Sequence, residues 1–143
     1  MAKIHRSALV QFSAKQMFDL VNDVESYPTF MQGCHKAEVL EQHGNVVIGK
    51  LSLGKAGISQ TFVTRNVLDE PESIHMELVE GNFDKFDAQW DFLQLTDTAC
   101  KVSLHMEFEF RTGLVDLALE ALFNASSNSL VDALVKRAHQ VYG

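Results

Sequence analysis

The sequence predicts an α+β domain in which a strongly twisted, seven-stranded antiparallel sheet wraps around a long C-terminal helix, with two short helices after the first strand. Three observations carry that expectation. Apolar residues between Thr112 and Val141 recur at the three- and four-residue steps that line one helical face. From His35 to Arg111 the period changes to that of strands, with turns at His43-Gly44-Asn45, Lys55-Ala56-Gly57, Asp69-Glu70-Pro71-Glu72, Gly81-Asn82 and Thr96-Asp97-Thr98. Those turns are too short for the crossover of a dozen or more residues that a parallel pair requires.

Taken in order, Lys3 to Val10 read as a first strand. Ser13 followed by Gln16 forms a capping box, Phe12 and Met17 stand at the positions of a hydrophobic staple, and the helix they open runs to about Asn22. Pro28 restricts Tyr27 to an extended conformation and ends any continuing helix. Tyr27, Phe30 and Met31 then form an apolar cluster before Gly33, usable as a lid or plug or as a plain cap on the core. Six strands follow, near residues 35 to 42, 45 to 54, 59 to 68, 73 to 79, 85 to 95 and 99 to 111. The last alternates most clearly, with Val102, Leu104, Met106, Phe108 and Phe110 on a core face and Lys101, Ser103, His105, Glu107, Glu109 and Arg111 on a wet one. Ala88, Trp90 and Phe92 extend the core face on the strand before it.

In the final helix Leu114, Val115, Ala118, Leu119, Leu122, Phe123, Leu130, Ala133, Leu134, Ala138 and Val141 form the apolar stripe. Thr112 suits the N-cap, Asp116 the first turns, and Lys136 and Arg137 the C-terminal end of the helix dipole. Asn124 to Ser129 are small, polar and weak helix formers, so the middle turn bends or approaches something closely, either the sheet or a ligand.

The chain of 143 residues, 46% hydrophobic and 22% charged, suits one ordered domain over residues 1–143. Twelve basic against 19 acidic residues give a net charge of −7, which disfavours non-specific binding to DNA and leaves at most peripheral contact with membranes. No apolar run approaches the roughly 20 residues of a membrane span, and the first residues lack the apolar core of a secretory signal, so a cytoplasmic protein is expected. Cys34 and Cys100 fit buried free thiols in such a compartment.

Signatures of catalysis are missing. The six histidines show no HExxH spacing and no CxxC is present, so no metal site is expected. Gly44 to Lys50 imitates a phosphate-binding loop, but Leu51 stands where Ser or Thr is required and Val46 to Ile48 read as strand. There is no G-x-S-x-G elbow. His105, Glu107 and Glu109 share the polar face of a strand and read as solvated. One of the adjacent pair Arg65 and Asn66 must face inward, where it could donate a hydrogen bond to a ligand or to the protein; the sequence leaves open which.

Over essentially its whole length the chain also resembles the START-like coenzyme Q-binding proteins, whose bacterial members include a ribosome-association toxin. The likeness lies in Ala8-Leu9-Val10 with Ser13-Ala14, Leu20-Val21-Asn22-Asp23-Val24, Tyr27-Pro28 with Phe30, Gly33 and Cys34, and Lys55-Ala56-Gly57-Ile58-Ser59. It continues in Phe62-Val63-Thr64-Arg65-Asn66, in Gly81 with Phe83 and Trp90, and in Phe108-Glu109-Phe110. Departures fall at Gln32, where proline is common in the family, and at Asn82, Asp84, Ala88 and Gln89. The resemblance implies a helix-grip fold and non-enzymatic binding of ubiquinone or a similar isoprenoid lipid in an apolar tunnel, supporting respiration, with no required cofactor and no catalytic residue. The alternative it implies is binding to the large ribosomal subunit and blocking of subunit association. A helix gripped off-centre leaves an apolar concavity, and Tyr27, Phe30, Phe62, Arg65, Trp90, Met106, Phe108, Ala118 and Leu122 are the candidate ligand-binding residues.

Overall fold

A computed structural model describes residues 2–55, 57–111, 113 and 117–143. Strand β1 (Ala2–Val10) leads into helix α1 (Ala14–Asn22) and a 3-10 helix (Val24–Thr29). Strands β2 (Cys34–His43), β3 (Val46–Lys55), β4 (Ile58–Asp69), β5 (Ser73–Glu80), β6 (Phe83–Thr96) and β7 (Ala99–Phe110) follow, and helix α2 (Leu117–Tyr142) closes the chain. The strands form one antiparallel sheet in the order β1-β7-β6-β5-β4-β3-β2, so β1 pairs with the last strand rather than the next.

The capping box is present in full: Gln16 N–H donates to Ser13 Oγ at 3.1 Å and Ser13 N–H to Gln16 Oε1 at 2.9 Å. Tyr27 departs from expectation, because it lies inside the 3-10 helix rather than in extended backbone. The i→i+3 bonds on either side of Pro28, from Ser26 N–H to Asp23 O and from Phe30 N–H to Tyr27 O, each 3.1 Å, hold the turn without needing a donor from the proline. The apolar cluster expected there is otherwise present: Tyr27 and Met31 are buried and the Tyr27 and Phe30 rings lie 5.1 Å apart.

One face of the sheet is core. Ile4, Met106, Ala88, Met76, Asn66 and Val47 stand in register across β1, β7, β6, β5, β4 and β3, and Leu104, Trp90 and Ile74 form the adjoining row. Val102, Leu104, Met106 and Phe108 are all buried, as the alternation predicts. The opposite face carries Lys101, His105 and Glu109 into solvent. Its charges pair across strands, with Glu107 between Lys3 at 3.7 Å and Lys85 at 3.4 Å.

Helix α2 runs unbroken through the small polar stretch. Phe123 shows how far the sheet curves around it. Its ring lies 5.7 Å from Phe62 of β4, 5.2 Å from Phe83 of β6 and 4.7 Å from Phe108 of β7. In a flat sheet β4 and β7 stand three strand spacings apart, about 14 Å, and no single ring would touch both. The expected N-cap Thr112 and the first-turn residues Leu114, Val115 and Asp116 lie outside the described residues.

Candidate functional site

The loop between the 3-10 helix and β2 is pressed against the middle of α2, and two open clefts flank that seam. The close approach depends on small residues. Ser126 and Ser127 are buried, and Ser126 Oγ donates to the Gln32 carbonyl at 2.6 Å. Ser129 Oγ, 3.4 Å from Gln32 Oε1, adds a second, longer contact. Gly33 has φ +76°, and a Cβ there would meet Leu122 Cδ1 at 2.8 Å. Only glycine lets the loop turn this close to the helix. The weak helix formers of Asn124 to Ser129 thus mark a close approach to the loop.

On one side of Gln32 lies an apolar cleft of about 450 Å³, walled by Lys55, Ile58, Ala118, Leu119, Ala121, Leu122 and Ala125 together with Gln32 itself. The helical residues stand at steps of three and four, so one stripe of α2 forms a whole wall. Two residues after Ile58 in β4 comes Gln60, whose Nε2 is a buried donor with no partner among the described residues. Buried polar groups are almost always satisfied, which makes that amide an exception needing a reason.

On the other side lies a polar cleft of about 390 Å³, lined by Thr29, Phe30, Gln32, Ser129, Asp132, Ala133, Lys136, Arg137 and Gln140. Gln32 is the wall common to both. Among the described residues neither Lys136 nor Arg137 makes an ion pair.

A third space, enclosed between α1, the 3-10 helix and the sheet, is lined by Val21, Asn22, Val24, Tyr27, Gly49, Leu51, Thr64, Asn66, Ile74 and Met76 and holds about 20 Å³. That is room for about one water, far short of the roughly 300 Å³ at which ligand pockets begin. Its polar groups are engaged: Thr64 Oγ1 donates to Asn66 Oδ1 at 2.8 Å and Tyr27 Oη to the Val21 carbonyl at 2.7 Å. Burial pushes the Tyr27 phenol well above its usual range.

The nine candidate ligand-binding residues do not gather around one tunnel. Ala118 and Leu122 line the apolar cleft, Phe30 the polar one and Tyr27 the small cavity. Phe62 and Phe108 belong to a cluster of rings with Phe83, Phe86, Phe110 and Phe123 that fills the space between sheet and helix. Trp90 is buried in the core, its ring parallel to that of Phe92, and Met106 is buried beside it in the sheet. Arg65 is a correction: it faces outward, exposed, 3.8 Å from Glu77, because Asn66 takes the inward position. The sequence reading missed Gln32, Lys55, Ile58, Asp132, Lys136, Arg137 and Gln140 as cleft residues. The steps of three and four that run through 118, 121, 122, 125, 129, 132, 133, 136 and 140 were the signal available: they form one stripe along α2, whose first half walls the apolar cleft and second half the polar one.

No metal-binding group of three or more His, Cys, Asp or Glu side chains occurs among the described residues, and none of their helices is long and apolar enough to cross a membrane. Cys34 and Cys100 are both buried free thiols, each raised above its ordinary pKa by burial, Cys100 to about 11. Neither is an activated nucleophile.

Comparison with known proteins adds relatives over the full length. The family model for polyketide cyclase / dehydrase and lipid transport matches residues 10–135. Ribosome association toxin RatA of Vibrio cholerae is 47% identical over 143 residues, covering 100% of this chain and 99% of that protein. Coenzyme Q-binding protein COQ10 homolog B, mitochondrial, of Xenopus laevis is 25% identical over 141 residues, covering 96% of this chain and 58% of that protein. Among solved structures, the Zhui aromatase/cyclase from Streptomyces sp. R1128 superposes with a TM-score of 0.83 at 21% identity, covering 97% of this chain and 94% of that one, a likeness of fold.

Proposed function

The chain belongs to the polyketide cyclase / dehydrase and lipid transport family, and from that premise we propose that it is a non-enzymatic, cytoplasmic binding protein that docks on the large ribosomal subunit and blocks subunit association. The observation that carries this reading is the 47% identity, end to end, with a protein named for ribosome association. Two features of the molecule support it. The interior is occupied by phenyl rings rather than by open volume, and among the described residues the two thiols are buried and raised in pKa rather than activated. Function then rests on the surface. Sedimentation tests it: the purified chain should travel with isolated large subunits and lower the yield of joined ribosomes. A chain that stays at the top of the gradient and leaves joining unchanged would overturn the reading.

The second reading, binding of ubiquinone or another isoprenoid lipid in support of respiration, is favoured by one observation of its own. The apolar cleft of about 450 Å³ is of ligand size, and Gln60, two residues along β4 from the cleft's Ile58, holds an unpartnered amide that could donate to a carbonyl. Burial of apolar surface at about 25 cal/mol per Å² would supply most of the affinity. Extraction of the purified protein followed by mass spectrometry is the test, with a co-purifying quinone or lipid expected and saturable loss in Gln60→Leu. The two readings are compatible.

A further inference from the structure

We infer that the polar cleft between the 3-10 helix and the C-terminal half of α2 is a grip for single-stranded RNA, with phosphates against Lys136 and Arg137 and a base stacked on Phe30. This rests on the ribosome reading above and assigns the contact surface within it. On a chain of net charge −7, two adjacent cations left without acidic partners among the described residues mark the place where a polyanion meets least repulsion. Most of the other basic side chains are neutralised: Lys3, Lys15, Lys36, Arg65, Lys85 and Arg111 each pair with a carboxylate. Arg6 is held by Asn128 at 3.1 Å. Lys50, Lys55 and Lys101 make no ion pair among the described residues either; of these Lys55 lines the apolar cleft, whose described wall holds no second cation.

The remaining lining fits the same occupant. Phe30 is half-buried with its ring packed on Tyr27, which fixes it in place while leaving an edge of the cleft aromatic, and such a ring stacks any base. Gln32, Ser129 and Gln140 supply donors and acceptors of the kind that read base edges and ribose hydroxyls. Asp132 is the one carboxylate in the wall, one turn before Lys136, and it repels phosphate from the part of the cleft nearest it.

The full chain is titrated against isolated large ribosomal subunits by sedimentation and against polyuridylate by fluorescence anisotropy over a range of salt. Wild type is compared with Lys136→Gln/Arg137→Gln, with Phe30→Leu, and with Lys101→Gln on the outer face of the sheet; matching thermal melts establish that all are folded. Wild type and Lys101→Gln should bind both probes. The double variant should lose about tenfold, and the slope of log affinity against log salt should flatten by about 1.4, the value for two single-strand phosphate contacts. Phe30→Leu should weaken polyuridylate binding several-fold. Undiminished binding by the double variant, or an equal loss in Lys101→Gln, overturns the inference and leaves the ribosome reading standing. Binding to subunits without binding to polyuridylate makes the partner a protein and also overturns it. If wild type ignores subunits but binds polyuridylate through Lys136 and Arg137, the ribosome reading falls and the RNA cleft stands; if it binds neither, both fall.

Discussion

Replacing Phe123 by alanine tests whether the space under the helix is packed or open. Its ring is buried and touches the rings of Phe62, Phe83, Phe86, Phe108 and Phe110 at centroid distances from 4.7 to 6.5 Å. Removing a buried phenyl costs about 3 to 5 kcal/mol, and loss of edge-to-face partners places this site near the upper end, at about 4 to 5. For a chain of this size the melting temperature should fall by roughly 12 to 20 °C. Urea melts with an unchanged slope are the measurement. The vacated volume is apolar and should stay dry, so benzene should raise the melting temperature of the variant while leaving wild type unmoved. A loss below about 2 kcal/mol, or stabilisation of wild type by benzene or by a short-chain quinone at the same ring cluster, would refute the argument that the rings fill the interior.

Gly33→Ala should destabilise by about 1 to 3 kcal/mol, since the residue would be held at φ +76° with its Cβ 2.8 Å from Leu122 Cδ1; pairing it with Leu122→Ala in a double-mutant cycle should show part of the cost relieved. Asn66→Ala should cost about 1 to 3 kcal/mol by stranding the Thr64 hydroxyl, whereas Arg65→Ala should cost at most about 1, and chemical denaturation of both variants checks the register of β4. Cys100 is raised from 9.0 to about 11 by burial, so between those values the unfolded chain loses its thiol proton while the folded one keeps it; stability should fall as pH rises through that window, and less so in Cys100→Ala. Alkylation of Cys100 at neutral pH should be slow in the native protein and fast in urea.

The sheet was readable because its strands alternate and its turns carry Gly, Asn, Asp and Pro; every strand lies within about two residues of the expected range. The capping box at Ser13 was legible for the same reason, being purely local. Strand β4 hid its phase. Gln60, Thr64 and Asn66 are polar yet buried, and Val63, buried too, breaks the alternation where the pairing with β5 shifts register, so composition could not say whether Arg65 or Asn66 faced in. The clefts were invisible for a different reason. They exist where the loop at Gln32 meets α2, a juxtaposition of residues about 94 positions apart that no local pattern encodes. Nor does an apolar pattern distinguish rings that fill a cavity from rings that line one, which is why Phe62, Trp90 and Phe108 looked like ligand contacts.

The pairing of the first strand with the last sets when the molecule can fold. Val10 lies opposite Cys100 and Ala2 opposite Phe108, so closing the sheet joins segments about a hundred residues apart, at a length-dependent entropy of roughly 4 kcal/mol. During synthesis β1 emerges first and has no partner until β7 leaves the ribosome, and α2, made last, then supplies Phe123 to the ring cluster. Strands β2 to β7, each hydrogen-bonded to its neighbour in sequence, can assemble as successive hairpins while β1 waits. A nascent chain stalled before Ala99 therefore carries a finished meander with an open edge at β6, which makes the interval before β7 appears the period of greatest risk for aggregation.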